Sequence, residues 1–145
     1  MRLFRMCAMA SGNQLDDRIP YNSSTDRIVF EFALKMGRVD AVIFHVDGSV
    51  SIIEAKDGTR GYTHVAQGIG QLSLYAVQFA MAGISGVHII RRCLHWTSVG
   101  SAEEDALLEL ACEQAGVIPM SNASLKVLLA AISPEAAEMF GVAHG

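Results

Sequence analysis

Two acidic residues and a lysine interrupt otherwise apolar sequence between Gly37 and Lys56. Asp40 lies near the start of the first apolar stretch, and Glu54-Ala55-Lys56 closes the second. Glu54 and Lys56 fall on the same face of an extended strand, because strand side chains alternate between two faces. Taking such groups out of water costs free energy unless a partner compensates for the loss. The pattern therefore favours a divalent cation bound by the two carboxylates.

These two stretches predict a β-hairpin. Gly37 to Phe44 and Ser51 to Lys56 flank Asp47-Gly48, which is a strong turn signal. Adjacent strands lie about 4.8 Å apart, so carboxylates near their ends can share one cation. Mg²⁺ prefers oxygen ligands and keeps waters, one of which can attack a phosphorus, while a lysine orients that water or stabilises phosphoryl charge. The alternative is a pair of solvated strand-end acids, with Lys56 simply neutralising Glu54.

A long helix is predicted from Tyr62 to Met81, with Thr63 as its N-cap, because apolar residues recur there at helical spacing. Gln67, Gln71 and Tyr75 form a stripe at four-residue intervals, and its first half should pass near Lys56. A glutamine there can hold a water or a phosphate oxygen, and helix N-termini favour phosphate. The alternative is a solvated helix face. The poor helix formers Gly68 and Gly70 predict that another element packs closely against this helix.

The remaining elements predict an α/β domain with a mixed sheet, built from an antiparallel meander followed by a right-handed crossover. The N-terminal region is expected to hold a short helix and then a loop from Asp16 to Asp26. The further elements expected are strands at Ile28–Lys35, Val87–Ile90 and Val117–Met120, a helix between Ser101 and Gly116, and two short helices at Leu125–Ile132 and Glu135–Phe140. At 145 residues the chain is most simply one domain, with its core at about 28–92 and a C-terminal helical extension over 101–145.

Charge is unevenly distributed along the chain. Residues 1–100 hold ten Lys/Arg against eight Asp/Glu, whereas residues 101–145 hold one against seven. A polyanion would therefore be met by the first hundred residues. Three widely spaced cysteines without a CxxC pair argue against a disulfide framework or a structural zinc site and favour a reducing cytoplasm. No stretch is long and apolar enough for a signal peptide or a membrane span.

The segment Val39-Asp40, the apolar hairpin, Glu54-Ala55-Lys56 and the helix motif Gln71-Leu72-Ser73-Leu74-Tyr75 resemble the PD-(D/E)XK nuclease superfamily, and its RecB-like branch in particular. The resemblance covers residues 28–92 and implies the restriction-endonuclease-like αβββαβ core. It implies that Asp40, Glu54 and the Ala55 carbonyl bind Mg²⁺ or Mn²⁺, and that Lys56 assists the attacking water. It further implies support of the site or of the DNA by Gln71 and Tyr75.

The expected activity is hydrolysis of DNA phosphodiesters, with RNA as another possible substrate. Four residues around the hairpin and the helix are expected to contact nucleic acid or support the site: Arg38, Arg60, His64 and Gln67. For Arg91-Arg92, contact with DNA and plain solvation are equally open, whereas His88 and His95 are expected to be core or edge histidines without a metal.

The chain departs from the family in one respect. Residues 1–15 contain no glutamate to match the one that the family often carries on its first helix, and Glu31 is the nearest substitute. Two alternatives therefore remain open beside the nuclease. One is a catalytically inactive nucleic-acid-binding member of the same fold, and the other is a protein-interaction module that uses its acidic C-terminal region. The small size also suggests a homo-oligomer or a place within a larger complex.

Overall fold

The computed structural model describes residues 14–16, 18–22, 24–82, 89–97 and 99–121. Its strands are β1 (Gln14–Asp16), β2 (Ile19–Pro20), β3 (Arg27–Leu34), β4 (Gly37–Phe44), β5 (Val50–Lys56), β6 (Ile90–Trp96) and β7 (Ile118–Ser121). Its α-helices are α1 (Tyr62–Met81) and α2 (Ala102–Gln114), and a 3₁₀ turn at Gly58–Arg60 precedes α1. None of the described helices has the length and hydropathy required to cross a membrane.

A five-stranded mixed sheet in the order β3-β4-β5-β6-β7 forms the centre of the fold. The strands β3, β4 and β5 form an antiparallel meander, and β6 and β7 add to it in parallel. Helix α1 connects β5 to β6, and α2 connects β6 to β7. The predicted α/β class with a mixed sheet is confirmed, because a meander followed by helical crossovers gives this strand order.

The two faces of the sheet have different cover. Alternation along each strand sends Val42, Ile52 and Leu94 toward α1 and α2, and these side chains belong to one buried cluster with residues of both helices. Their neighbours on the opposite face form a second cluster with residues from the β2 region: Ile19, Tyr21, Ala41, Ile43, Ile53, Cys93 and Met120. Val42 and the even-numbered residues of β5, among them positions 54 and 56, therefore face α1. Val39 of β4 packs on this side as well, so the alternation of β4 is interrupted between Val39 and Ala41.

Most predicted elements lie where they were expected, since the β3–β4–β5 meander, α1, α2 and the edge strand β7 all form. The strand after α1 is a correction. It was predicted at Val87–Ile90 but runs from Ile90 to Trp96. Arg91 and Arg92 suggested a strand end, whereas both lie inside β6 and reach protein partners.

Two local predictions fail. Gly61 rather than Thr63 is the N-cap of α1, with φ +98° and no side-chain hydrogen bond to the cap. The predicted loop from Asp16 to Asp26 includes β2 and the end of β1, which pair as a separate antiparallel ribbon. The expected N-terminal helix and the helices at 125–132 and 135–140 fall outside the described residues.

Candidate active site

Asp40 and Glu54 lie side by side on the face of the sheet that α1 covers. The register of β4 and β5 pairs Ala41 with Ile53 and Val42 with Ile52. Continuing this register by one residue places Asp40 opposite Glu54. Directly opposed residues of antiparallel strands point to the same face with their Cβ atoms about 5 Å apart. The structure therefore brings the two sequence-predicted acids together.

The Asp40 carboxylate is built into the strand pairing. Its Oδ2 accepts a hydrogen bond of 2.7 Å from the Ala55 backbone N–H. The main-chain pairing of β4 with β5 extends to Ala41 and Ile53. Beyond this pair, the Asp40 side chain takes the place of a main-chain carbonyl as the acceptor for the Ala55 N–H. Asp40 is half-buried, so this bond fixes the direction in which its carboxylate points.

Glu54 is an acid in an apolar setting. Glu54 is only 6% exposed, and its Oε2 is buried without a hydrogen-bond partner among the described residues. Burial is the main cause that raises the pKa of Glu54 to about 8, and a hydrogen bond with Asp40 and the negative charge of Asp40 add to the effect. The positive charge of Lys56 acts in the opposite direction. The metal-free site therefore holds one proton more than two ordinary carboxylates would.

Lys56 lies on the same face, against the helix. A Cβ added to Gly68 of α1 would lie 3.4 Å from Lys56 Cγ, 3.5 Å from Lys56 Cε and 2.5 Å from Leu94 Cδ1. The lysine stem thus occupies space that only a glycine leaves open. The predicted close packing against α1 is confirmed at Gly68, but it is wrong at Gly70, where a Cβ would meet no atom of the described residues within 4 Å.

Tyr75 of α1 lies near the acids, and Gln71, one helical turn before it, lines the same groove. The Oε1 of Gln71 is buried and, like Glu54 Oε2, has no hydrogen-bond partner within the described part of the chain. Tyr75 is 9% exposed, and its hydroxyl accepts a bond from the Arg38 backbone N–H. Burial, followed by the negative charges of Glu54 and Asp40, raises the pKa of Tyr75. The tyrosine thus stays protonated beside the acids.

Four other predicted residues lie around the site rather than in it. Arg38, Arg60 and Gln67 are exposed, and His64 is half-buried in the first turn of α1. Desolvation lowers the pKa of His64, and the positive charges of Arg60 and Lys56 lower it further. These electrostatic effects show that His64 shares a positively charged region with Arg60 and Lys56, although Asp57 partly offsets it.

The residues present fit a hard divalent cation bound partly by water. Among the described residues, no three His, Cys, Asp or Glu side chains form a metal-binding group, so Asp40 and Glu54 would be the only carboxylate ligands from this part of the chain. Glu31 is exposed, and its φ of +54° marks a local distortion of β3. Mg²⁺ accepts one or two carboxylates and completes its octahedron with waters. The unpartnered oxygens of Glu54 and Gln71 are suited to bind such an ion and its waters.

A second polar cluster, which the sequence did not predict, lies at the far end of the hairpin and consists of Asp26, His45 and Ser51. His45 Nε2 lies 2.7 Å from Ser51 Oγ, and His45 Nδ1 lies 3.1 Å from Asp26 Oδ2. The order Ser–His–Asp resembles a hydrolytic triad, but Ser51 is fully buried and cannot meet a substrate. The cluster therefore anchors the segment before β3 to the hairpin. A histidine and a serine six residues apart carry no signal that could have revealed it.

The two arginines of β6 have structural partners. Arg91 donates to Ser49 Oγ, and Arg92 bridges Ser73 of α1 and the Ala115 carbonyl after α2. His95 is a core histidine as predicted, because it is 2% exposed and its Nδ1 bonds the Met120 carbonyl. His88 lies outside the described residues.

No protein-family model matches the chain, and no curated protein matches it. The solved structures that are similar to it include the following two. A repair endonuclease from Pyrococcus abyssi is 17% identical with a TM-score of 0.44, and the match covers 67% of this chain and 38% of that one. A complex of EndoMS with double-stranded DNA is 16% identical with a TM-score of 0.43, covering 68% and 37%. This chain spans less than two fifths of either protein, so its chemistry has to be sought in its own side chains.

Proposed function

We propose that this chain is a nuclease of the PD-(D/E)XK type that hydrolyses DNA phosphodiester bonds with the help of Mg²⁺ or Mn²⁺. The observation that carries the proposal is the Glu54 carboxyl, which is buried beside Asp40 with one oxygen unpartnered. An acid in this position costs stability. A chain that needed only its fold would be more stable with an apolar residue there.

In the proposed site Asp40, Glu54 and the Ala55 carbonyl hold the metal ion. When bound, the ion supplies Lewis-acid polarisation of the phosphate and a bound water of lowered pKa. Asp40 is already oriented by its bond from the Ala55 N–H. Gln71 Oε1 is free to accept a hydrogen bond from the attacking water, because no described residue occupies it.

Lys56 would stabilise the negative charge that develops on the phosphoryl oxygens, and its own charge already acts on Glu54. The bond from the water oxygen to phosphorus forms as the bond from phosphorus to the 3′ oxygen breaks. Arg38, Arg60, His64 and Gln67 lie outside this centre, and we assign them to the DNA strand around it. The hydrogen bond from the Arg38 backbone N–H holds the Tyr75 hydroxyl in place near the acids.

The test is cleavage of plasmid and linear DNA by the purified chain with Mg²⁺, with Mn²⁺ and with a chelator. We expect cleavage with either metal and none with the chelator. Asp40→Asn, Glu54→Gln and Lys56→Met should each reduce the rate by roughly 100-fold or more, because each removes a ligand or a charge used in the transition state. The matched controls Glu103→Gln and Lys35→Met change exposed residues away from the site and should cut normally.

The outcome also separates the alternatives. Binding of DNA without cleavage under any metal would overturn the nuclease and leave an inactive nucleic-acid-binding member of the fold. Absence of both cleavage and DNA binding would favour the protein-interaction module. Full activity of Glu54→Gln would remove Glu54 from the mechanism even if the chain proved to be a nuclease.

A further inference from the structure

The outward face of α1 is uncharged along its whole length. Residues 62–81 contain no Asp, Glu, Lys or Arg, and on this face Leu74, Val77 and Met81 are 66%, 54% and 81% exposed. The solvent face of a surface helix ordinarily carries charged residues. Contiguous exposed apolar residues mark interaction surfaces instead. Helix α1 therefore has one face against the sheet and a second face suited to packing.

The exposed residues follow a seven-residue repeat. They are spaced three and four residues apart in alternation, which is the spacing of positions that pack along another helix; we call them the α1 seam, and they are Gln67, Gly70, Leu74, Val77 and Met81. Helix α2 offers no such face, because an exposed acid lies one helical turn from each of its exposed leucines: Glu103 from Leu107 and Glu113 from Leu110. Within the described part of the chain, the surface that matches the α1 seam is therefore the seam itself.

The α1 seam is also complementary to a second α1 seam that runs antiparallel to it. If two copies lie antiparallel with a two-fold axis at Leu74, Gln67 stands opposite Met81 of the second copy. Gly70 then stands opposite Val77 of the second copy, so a position where no atom in the described ranges would lie within 4 Å of an added Cβ receives a branched side chain. Like-charge repulsion is absent, because neither seam has a charged residue. A self-complementary patch of this kind makes a closed, isologous contact.

We propose that the α1 seam binds the α1 seam of a second copy of this chain, so that the protein is a two-fold dimer joined through antiparallel α1 helices. The contact extends beyond the helix. Met36, at the turn between β3 and β4, is 74% exposed and borders the seam. Between them lies a groove of about 420 Å³, lined by Met36, Gln71, Leu74, Tyr75, Val77, Gln78 and Met81.

The second copy would cover this groove and with it the outer side of Gln71. The dimer thus places the two candidate active sites on either side of one interface. The pairing itself does not depend on the nuclease proposal, since it rests on the exposed face of α1 alone. An inactive chain would dimerise in the same way.

The test is the mass of the wild-type protein by size-exclusion chromatography with light scattering, over a series of concentrations. We expect twice the chain mass of 15.6 kDa at high concentration. Leu74→Glu and Leu74→Lys should each give monomers, because each puts two like charges together at the axis. Mixing the two variants should restore the dimer, since opposite charges then face one another. Leu107→Glu, a similarly exposed leucine on α2, should leave the dimer intact.

Three results would overturn the proposal. A wild-type protein that stays monomeric at every concentration shows that another part of the chain or solvent covers the seam. Equal loss of the dimer in Leu107→Glu shows that the interface lies elsewhere or that any added charge disrupts it. A mixture of Leu74→Glu and Leu74→Lys that stays monomeric excludes the two-fold at Leu74. Circular dichroism of each variant verifies that it is folded, which is expected because Leu74 and Leu107 are solvent-exposed.

Discussion

Glu54 places an ionisable group at a position of the sheet where an apolar side chain would be more stable. Its flanking strand residues Ile52 and Ile53 are fully buried, and α1 closes over it. The alternation of β5 and the Asp-Gly turn made its facing toward Asp40 predictable from the sequence. Its degree of burial was not predictable, because burial depends on how closely α1 packs over the strand.

The pH dependence of stability follows from Glu54. In metal-free protein the folded state binds this proton up to about pH 8, whereas the unfolded chain releases it near its ordinary pKa of 4.5. The folded state therefore holds more protons between these values, and the contribution of Glu54 to the free energy of unfolding falls as pH rises from about 4.5 to 8. We expect Glu54→Gln to remove this contribution, which is on the order of a few kcal/mol.

The measurement is urea unfolding of wild type and Glu54→Gln in chelator at several pH values. The difference between the two should grow with pH, with the variant the more stable above pH 8. Glu103→Gln, which changes an exposed acid, should keep the wild-type slope. A wild type and a Glu54→Gln variant with parallel pH profiles would contradict the buried, protonated state of Glu54.

At the scale of elements, the two glycines of α1 lie in different environments, since Gly68 faces the sheet and Gly70 faces outward. Gly68 lets the helix approach β5 and β6 closely, and Tyr75 of the same helix lies near the acids. Gly70 lies on the outward face, where a Cβ would meet no other part of the described structure within 4 Å. Helix propensity treats the two glycines alike, and both were expected to lie under a packed element. Only the positions of the neighbouring strands separate them.

Substituting alanine should therefore have opposite effects at these two positions. Gly68→Ala puts a methyl group into Leu94 and the Lys56 stem, and we expect it to destabilise the protein by about 1–3 kcal/mol. Gly70→Ala should stabilise it by about 0.5–1 kcal/mol through helix propensity. The measurement is thermal or urea unfolding at a concentration low enough to keep the chain monomeric. Equal effects of the two substitutions would refute the close packing at Gly68.

The predicted bounds of β6 were wrong because two charged residues inside the strand suggested that it had already ended. Arg91 and Arg92 look like residues at a strand exit, but Ser49, Ser73 and the Ala115 carbonyl accept their hydrogen bonds inside the structure. The true strand continues to Trp96. The hydrogen-bond partners of the two arginines come from three separate parts of the chain. A local pattern of hydropathy therefore could not reveal that these charges are satisfied within the fold.

For the molecule as a whole, the sheet joins an antiparallel half that carries the acids to a parallel half that supports α1 and α2. The order of elements in the sequence was sufficient to predict this mixed sheet, because each connection between parallel strands needs a crossover. The two sides of the sheet were not predictable in the same way. Cover of the second face by Ile19 and Tyr21 depends on a short ribbon with weak sequence signals.

Acid should destabilise the fold through the parallel half. His95 on β6 is buried and donates from Nδ1 to the Met120 carbonyl of β7. Desolvation by burial lowers the pKa of His95 to about 4. Below its ordinary pKa of 6.5 the unfolded state binds the proton and the folded state does not, so the free energy of unfolding falls as pH falls from 6.5 toward 4, by roughly 3 kcal/mol.

His95→Gln keeps an amide donor for the Met120 carbonyl but cannot titrate. We expect it to lower stability at neutral pH and to flatten the decline between pH 6.5 and 4, as measured by unfolding at each pH. An acid decline as steep as that of wild type would assign the effect to another group.

The bond from the Ala55 N–H to the Asp40 carboxylate has a consequence for the history of the chain. Loss of Asp40 removes both a proposed metal ligand and an acceptor that β5 uses to pair with β4. Loss of Glu54 removes a proposed ligand and a hydrogen bond with Asp40, but it also relieves the cost of a buried acid. In a descendant without the proposed activity, selection for folding alone would retain the aspartate and would not retain the glutamate. A retained glutamate is therefore the better marker of a working enzyme among descendants of this chain.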